Sequence, residues 1–462
     1  MTDELTGKSL TELVGLIASR GASPVEVVRA HLSRIESLNP QLNAVVTLAP
    51  DALEQARVAE AEVMRGETKG LLHGLPLTIK DTIETKGLLT TGGSRVRSGY
   101  VPLHDAAAVG RLRAAGAIIL GKTNTAEMAA AYDTENPVFG RANNPFDLRR
   151  TTGGSSGGEA AAIAACLSPG GLGSDLMGSI RVPAHFCGVC GLKPTTGSVP
   201  SGGHVPSSDG VASLGAVIGP LARTVEDLSL LFRALKGFDE SEFFKVDVSG
   251  WRVAWYASDG IAPVTAETRG AVEAAARALA EAGLSVREER PPGVERGQDM
   301  WTRLFARAAL LEMKEEYKGL EEQAGELVRY LLDSSAKAEP QAFDDFARAW
   351  SERDSLRSRL LEWMQETPLI VCPVGSTQAF EHGARKIEVE GQTLSIFRSF
   401  SYAQTWNVFG LPVACVPVAR TSEGLPLGVQ IVGRPFAEES VLAAAAIIEQ
   451  KLGGWQAPPF AL

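Results

Sequence analysis

The stretch from Thr151 to Thr195 reads TTGGSSGGEAAAIAACLSPGGLGSDLMGSIRVPAHFCGVCGLKPT, and it is unusually rich in glycine and small hydroxyl side chains. Between Thr151 and Gly219 there are 16 glycines in 69 residues, more than twice the density of the whole chain, which has 48 in 462. Glycine costs conformational entropy on folding, so it is concentrated where the backbone turns sharply or approaches another group closely. The serines inside this stretch therefore lie on backbone that can expose them: Ser155, Ser156, Ser174 and Ser179.

The length and composition are those of a soluble globular protein. Hydrophobic residues make up 44% of the chain and charged residues 22%, which allows a large core. A chain of this length forms about three domains of average size or one large α/β unit. The net charge of -10 and the pI of 5.3 disfavour binding to nucleic acid or to an anionic membrane, because both usually need a basic surface.

The printed sequence shows no targeting segment. It begins MTDELTGKSL, without the basic start and apolar run of a secretory signal. No uncharged apolar run reaches the length of about 18 residues that a transmembrane helix needs. The sequence therefore predicts a cytoplasmic protein that has no membrane contact.

The five cysteines do not indicate a disulfide framework, since their number is odd. Cys187 and Cys190 form a C-x-x-C motif, which could serve a redox centre or a metal site. There is no second C-x-x-C motif and no nearby histidine pair to complete a zinc site. We interpret both cysteines as small buried residues and expect no metal and no cofactor.

Residues 1–65 are predicted to form helices that wrap around the rest of the chain. Two capping boxes, Ser9–Glu12 and Ser23–Glu26, mark helix starts. The apolar segment Gly74–Lys80 then predicts a strand that ends in Lys80. Burial would favour the neutral amine of this lysine and make it a base at neutral pH. The alternative is a lysine whose charged end reaches water.

The remaining chain divides into two sheet-forming regions and a helical region between them. Residues 66–236 and 368–462 are predicted to form the sheet core and the catalytic loops, because short apolar strands occur in both. Residues 237–367 contain fewer glycines and more amphipathic helical patterns, with one strand predicted at Trp251–Tyr256. We expect them to form a mainly helical insert that caps the substrate side of a single domain covering residues 1–462.

Three kinds of site contain a glycine-serine loop similar to GGSSGG at 153–158. A phosphate-binding P-loop needs a lysine after its last glycine, where this chain has Glu159. A nucleophile elbow needs a buried strand before the serine, and Asp147–Thr152 is too polar to be one. The third is a serine nucleophile activated by a lysine, for which Lys80 is the candidate base.

The GGSSGG loop followed by GLGSDLMGSIRVPAHFCGVCGLKPT resembles the amidase signature family of serine amidohydrolases. The similarity runs from about Leu10 to Leu228 and resumes from about Pro368 to Glu449. The resemblance implies an α/β fold with a large mixed central β-sheet covered by helices on both faces. It also implies hydrolysis of a linear amide by a Ser, cis-Ser, Lys triad without a cofactor.

The resemblance assigns roles residue by residue. Lys80 corresponds to the base, Ser155 to the serine that relays the proton, and Ser179 to the nucleophile. Glycine at position 154 would accommodate the cis bond that precedes the relay serine. The backbone N–H groups from 176 to 179 would form the oxyanion hole. The residues of the oxyanion hole are Leu176, Met177, Gly178 and Ser179. The residues that would support the catalytic loops are Gly154, Ser156, Asp175 and Arg181.

One residue departs from the family pattern. The family usually has D-x-G-G-S before the nucleophile, whereas this chain has Met177 in place of the first of those glycines. A side chain there excludes some positive-φ conformations, so Met177 could distort the oxyanion loop and weaken catalysis. Alternatively it projects into the acyl pocket and narrows it. Other expected pocket residues are Trp301, Phe305 and Leu311 in the insert, and Met128 and Tyr132.

Two functions remain open from the sequence. The first is a stand-alone amidase that acts on a small-molecule amide, as a monomer or a homodimer. The second is the A-type subunit of a tRNA-dependent amidotransferase, which would need partner proteins. The sequence does not identify the acyl group of the substrate.

Overall fold

The computed structural model describes residues 2–237, 246–337 and 342–459. Across those ranges, eleven strands form one mixed sheet, and three two-stranded ribbons lie outside it. The strands of the large sheet are β1 (Val45–Leu48), β2 (Pro76–Lys80), β3 (Ile118–Thr123), β8 (Gly170–Asp175), β9 (Cys190–Lys193), β10 (Val217–Ala222), β11 (Arg252–Trp255), β12 (Ser285–Glu288), β13 (Leu369–Pro373), β16 (Val413–Arg420) and β17 (Pro426–Val432). Their order across the sheet is β1-β3-β2-β8-β10-β9-β16-β17-β13-β11-β12. The ribbons pair β4 (Glu135–Asn136) with β5 (Gly140–Arg141), β6 (Asn143–Asn144) with β7 (Asp147–Thr151), and β14 (Lys386–Val389) with β15 (Gln392–Ser395).

Helices precede, cover and connect these strands. The N-terminal helices are α1 (Thr2–Thr6), α2 (Leu10–Ala18), α3 (Pro24–Leu42) and α4 (Ala52–Met64). The helices within the glycine-rich half are α5 (Ala107–Ala114), α6 (Gly157–Ala164), α7 (Arg181–Cys187) and α8 (Val225–Lys236). The later helices are α9 (Ala266–Glu281), α10 (Gly297–Trp301), α11 (Arg307–Glu316), α12 (Glu326–Lys337), α13 (Phe343–Trp363), α14 (Ile396–Ser399), α15 (Ser401–Phe409) and α16 (Glu438–Leu452). The predicted α/β class with a large mixed sheet is confirmed.

The two capping boxes begin helices as predicted. Ser9 caps α2 and Ser23 caps α3, and in each the glutamate three residues later bonds back to the backbone of the capping serine. The prediction of helices over residues 1–65 missed β1, which pairs with β3. A strand of only four residues gives too short an alternation to stand out between two helices.

The centre of the sheet brings two strand ends together. β2 runs parallel to both β3 and β8. Parallel neighbours present their carboxyl ends at the same edge of the sheet. Lys80, the last residue of β2, therefore lies beside Ser174 and Asp175, the last residues of β8.

Glycine in β8 permits the close packing behind this edge. A Cβ at Gly171 would lie 2.2 Å from both the Glu159 carboxylate and the Thr78 carbonyl oxygen. Glu159 is buried on α6 and accepts hydrogen bonds from Thr78 Oγ1 at 2.6 Å and Thr123 Oγ1 at 2.7 Å. The residue that replaces the P-loop lysine thus ties α6 to β2 and β3.

The mainly helical region also contributes to the sheet. β11 pairs with β13 on one side and with β12 on the other, both in parallel. The helices α10 to α12 and the π-helical turn Thr302–Ala306 lie in the same region. Residues 246–337 therefore supply edge strands as well as helices.

Three further features bear on the sequence predictions. Within the described ranges, no helix is long and apolar enough to cross a membrane. Cys187 and Cys190 are fully buried free thiols, which confirms their interpretation as small buried residues. Asp147–Thr151 forms a strand, but it is a partly exposed ribbon strand, as its polarity indicated.

Candidate active site

Lys80 lies buried at the end of β2, with its amine among hydroxyl groups. Its Nζ is 2.7 Å from Ser155 Oγ and 2.8 Å from Ser174 Oγ. Burial lowers the pKa of Lys80 to about 7, although the carboxylates of Asp175 and Glu159 oppose that shift. Of the two interpretations that the sequence allowed, the structure shows the buried amine.

Ser155 lies on the loop that leads into α6. The peptide bond between Gly154 and Ser155 is cis. A Cβ at position 154 would come within 2.4 Å of the Ala131 carbonyl oxygen, so glycine is required there. The Ser155 carbonyl oxygen accepts hydrogen bonds from Thr125 Oγ1 at 3.0 Å and from the Ala126 N–H at 3.3 Å.

Ser156 joins the Ser155 loop to the strand and loop that carry the other site residues. Its Oγ donates to the Ser174 carbonyl oxygen at 3.3 Å, and its N–H donates to the Ser179 carbonyl oxygen at 3.2 Å. Ser156 therefore connects the Ser155 loop to Ser174 and Ser179, and its supporting role stays a prediction.

Ser179 precedes α7 and is 3% exposed. Its loop is shaped by Asp175, whose carboxylate accepts from the N–H of Gly178 at 2.8 Å and from the N–H of Ile180 at 3.1 Å. Gly178 has a φ of 116°, a conformation that glycine adopts without strain. The nucleophile candidate is thus on a turn whose two flanking N–H groups are fixed by one carboxylate.

Arg181 anchors that carboxylate from the first turn of α7. Its guanidinium makes two hydrogen bonds to Asp175, each 2.9 Å long, and both side chains are fully buried. Burial raises the pKa of Asp175, but the charge and hydrogen bonds of Arg181 outweigh it and hold the pKa well below its usual range. The guanidinium also donates to Gln430 at 2.6 Å, to Asn407 at 2.7 Å and to the Ala403 carbonyl oxygen at 2.9 Å.

Side-chain hydrogen bonds fix the first two carbonyl groups of the predicted oxyanion loop, those of Leu176 and Met177. Trp301 Nε1 donates to the Leu176 carbonyl oxygen at 2.7 Å, and Tyr132 Oη donates to the Met177 carbonyl oxygen at 2.6 Å. The N–H of Gly178, one of the four donors predicted for an oxyanion, is already bonded to Asp175. Within the described residues, the N–H groups of Leu176, Met177 and Ser179 have no protein acceptor, so these three are free to serve as oxyanion donors.

A cavity of about 700 Å³ opens over this loop. Ser155, Ser179 and Met177 line its floor, and Met177 has a negative φ, so its side chain does not strain the loop. The apolar walls come from several elements, namely Met128, Tyr132, Trp301, Leu310, Met313, Leu327, Leu331, Phe380, Ile396 and Phe397.

Three of the five predicted pocket residues line this cavity: Met128, Tyr132 and Trp301. The prediction was wrong for Phe305, which is buried against Gly215, and for Leu311, which is 58% exposed. Helical spacing alone cannot tell which face of such a helix meets the pocket.

Sequence reasoning missed the connection between Ser174 and His204. Ser174 Oγ lies 2.8 Å from Lys80 Nζ and 2.7 Å from His204 Nε2, and both Ser174 and His204 line the cavity. Ser174 was among the serines noted in the glycine-rich stretch, but nothing in the sequence paired it with Lys80 or His204. His204 carried no such signal, because its contact is made across a loop 30 residues away in sequence.

Known proteins are similar to this chain over most of its length. The amidase family model matches residues 26–442. The A-type subunit of the glutamyl-tRNA(Gln) amidotransferase from Anaeromyxobacter sp. (strain K) is 34% identical, with 99% of this chain and 98% of that protein aligned.

Solved structures of amidases superpose on nearly the whole chain. A crystal structure of an amidase has a TM-score of 0.88 at 30% identity, covering 96% of this chain and all of that one. A 6-aminohexanoate cyclic dimer hydrolase complexed with substrate has a TM-score of 0.87 at 29% identity, covering 99% of this chain and all of that one. The chain therefore belongs to the amidase signature family.

Proposed function

We propose that this protein is a serine amidase that hydrolyses a carboxamide with an apolar acyl group through an acyl-enzyme on Ser179. The observation that carries the proposal is the fully buried Lys80 amine at 2.7 Å from Ser155 Oγ. A desolvated lysine beside a hydroxyl can act as a base near neutral pH. This geometry supports a relay in which Lys80 acts on Ser179 through Ser155.

Acylation begins with neutral Lys80. Lys80 takes the proton of Ser155 while Ser155 takes the proton of Ser179, whose oxygen attacks the amide carbonyl carbon. The C–N bond then breaks, and the leaving amine or ammonia receives a proton back through Ser155. The products of this half-reaction are the free amine and an ester between the acyl group and Ser179.

Deacylation repeats the relay with water. A water molecule gives its proton to Ser155 as its oxygen attacks the ester carbon, and Ser179 is released with that proton. In both halves the carbonyl oxygen becomes negatively charged. We assign the stabilisation of this charge to the N–H groups of Leu176, Met177 and Ser179, since loss of one such donor in other enzymes reduces kcat by about 10²–10³-fold.

The residues that line the cavity favour a substrate with an uncharged acyl group. Among the described residues, the one lysine or arginine that lines it is Arg385, whose side chain is two-thirds exposed and paired with Glu326. The pKa of the other basic group there, His204, is lowered to about 3 by burial and by the nearby Lys80. A substrate carboxylate would therefore find no buried cation, whereas an aliphatic or aryl chain would contact apolar side chains.

A substrate panel tests the proposal. Aliphatic, aryl and peptide amides are incubated with the purified chain, and released ammonia or amine is measured. We expect hydrolysis of apolar amides, and loss of activity in Lys80→Ala, Ser155→Ala and Ser179→Ala with circular dichroism unchanged. Full activity in any of these folded variants would refute the role proposed for that residue.

A second candidate function rests on sequence identity. The relative from Anaeromyxobacter is named as a component of an amidotransferase, and 99% of this chain aligns with it. In such an assembly, this protein would hydrolyse glutamine and deliver ammonia to a partner. Glutaminase activity of the isolated chain above its activity on apolar amides would favour this second function.

A further inference from the structure

We propose that His204 is a positioning residue that fixes the Ser174 hydroxyl and thereby turns the lone pair of Lys80 toward Ser155. The inference rests on the proposed role of Lys80 as the base. It concerns a histidine that belongs to neither the Ser–Ser–Lys relay nor the oxyanion loop. Its basis is a continuous series of hydrogen bonds whose donors and acceptors can be assigned from chemistry.

The series starts at a carbonyl group, which can only accept. His204 Nδ1 lies 2.8 Å from the Pro206 carbonyl oxygen, so Nδ1 carries the proton. In the neutral ring Nε2 is then an acceptor. Ser174 Oγ, 2.7 Å away, must donate its only proton to Nε2.

The engaged Ser174 hydroxyl in turn orients the lysine. With its proton on His204, Ser174 Oγ faces Lys80 Nζ at 2.8 Å with lone pairs alone, so Lys80 donates one N–H to it. This leaves the lone pair of the neutral amine free to accept the Ser155 proton across 2.7 Å. Without an acceptor at 204, the Ser174 hydroxyl could rotate and donate to the same lone pair, competing with Ser155.

Backbone bonds fix His204 relative to Lys80. The N–H of Val205 donates to the Thr82 carbonyl oxygen at 2.7 Å, and the N–H of Glu84 donates to the Gly203 carbonyl oxygen at 2.8 Å. Thr82 and Glu84 follow Lys80 closely in the chain. The loop that carries His204 is therefore hydrogen-bonded to the segment that directly follows Lys80.

The other charged groups that act on Lys80 are on different elements. Asp175 at the end of β8 and Glu159 on α6 both favour its protonated form. Neither is changed by substitution at position 204. Burial is the main cause of the lowered pKa of Lys80, so a change in its titration reports the Ser174 contact only if removal of Ser174 abolishes that change.

Reaction with a fluorophosphonate probe tests the inference without knowledge of the natural substrate. The Ser179 oxygen bonds to phosphorus, fluoride leaves with the bonding electrons, and the serine proton passes through Ser155 to Lys80. The rate constant of adduct formation is measured by intact mass across pH 5–9. His204→Phe keeps a ring without an acceptor, whereas His204→Gln keeps an acceptor of similar reach.

We expect His204→Phe to lower the high-pH rate about tenfold and to shift the midpoint of the pH dependence to lower pH. The shift follows because a Ser174 hydroxyl that donates to Lys80 favours its neutral form. His204→Gln should keep most of the wild-type rate at high pH and a midpoint close to that of the wild type. In a Ser174→Ala background, His204→Phe should have no further effect, because its partner is gone.

The outcomes separate this inference from the proposed function. Labelling that persists in Ser179→Ala would refute the proposed nucleophile. Labelling of Ser179 that is equally fast and has the same midpoint in His204→Phe would refute the role of His204 alone. A slower rate with an unchanged midpoint, or equal losses in the presence and absence of Ser174, would show a merely structural role and would also overturn the inference.

Discussion

At the scale of single residues, the buried amine of Lys80 sets the pH dependence of the site. Its pKa is lowered to about 7, mainly by burial. Catalysis needs the neutral amine, so kcat/KM should rise as pH increases through about 7 and level off above it. Steady-state kinetics on an amide that does not titrate between pH 5 and 9 measures this. A rate that is flat across that range would contradict a lysine base.

Met177 should decide how large an acyl group the pocket accepts. Its side chain lines the cavity, and its backbone needs no positive φ. Met177→Ala should therefore favour longer or bulkier acyl groups, changing the ratio of kcat/KM between long and short amides about tenfold. The measurement is a comparison of kcat/KM for a homologous series. An unchanged ratio would show that Met177 does not meet the acyl group.

Breaking the buried ion pair between Asp175 and Arg181 should lower the free energy of unfolding. Both side chains are fully buried and joined by two hydrogen bonds. Arg181→Met would leave an uncompensated buried carboxylate, at an expected loss of about 3–5 kcal/mol in the free energy of unfolding. Urea denaturation measures it. As a control, Arg57→Met removes an exposed ion pair with Glu54 and should change stability by less than about 1 kcal/mol.

The site could be predicted from sequence only in part. The glycine-serine stretch directed attention to the serines, and the family resemblance supplied roles for Lys80, Ser155 and Ser179. Residue patterns alone left Lys80 undecided between a buried and a solvated amine, because burial depends on neighbouring strands. His204 reaches the site through a loop, and loops carry no periodicity from which such a contact can be read.

At the scale of the element, β8 shows why a strand can escape prediction. Its sequence GGLGSD holds three glycines, a residue that is depleted in strands. It is a strand because β2 and β10 pair with it and because α6 packs too closely behind it for side chains. The strand predicted at Gly74–Lys80 and the observed strand β13 (Leu369–Pro373) are rich in apolar and β-branched residues, so ordinary sequence signals are enough to predict them.

Gly171 should accordingly tolerate no side chain. Gly171→Ala would place a Cβ 2.2 Å from two oxygen atoms, of which one is backbone. We expect a loss of about 3 kcal/mol or more in unfolding free energy, or no folded protein. Thermal unfolding measures it.

Gly15 provides the matched control for that substitution. It lies within α2, and a Cβ there would meet nothing within 4 Å. Gly15→Ala should therefore stabilise the protein by about 0.5–1 kcal/mol. Equal effects of the two substitutions would contradict the packing described for β8.

At the scale of the whole molecule, one large sheet connects residues that are far apart in sequence. β9 pairs with β16, so the strands before and after the mainly helical region meet in one sheet, as the sequence predicted. β11 and β12 extend that sheet from within the region. β11 coincides with the strand predicted at Trp251–Tyr256, whereas β12 was not predicted, because a four-residue edge strand beside an amphipathic helix gives a weak signal.

The stand-alone function makes a prediction about assembly. The isolated chain should hydrolyse apolar amides without any partner protein and should elute from gel filtration as a monomer or a homodimer. Its Lys80 relay and its cavity are built from this one chain. Light scattering coupled to chromatography, with activity assayed across the peak, measures both. Activity that appears only after partner proteins are added would support the amidotransferase function instead.

The most direct measurement of the central claim is the identity of the side chain that carries the acyl group. The enzyme is mixed with an intact amide that it hydrolyses, and the reaction is quenched in acid during the steady state. The protein is then digested and its peptides are analysed by mass spectrometry. The relay through Lys80 and Ser155 predicts an acyl ester on Ser179, absent in Ser179→Ala. An acyl group on any other side chain, with Ser179 unmodified, would contradict it.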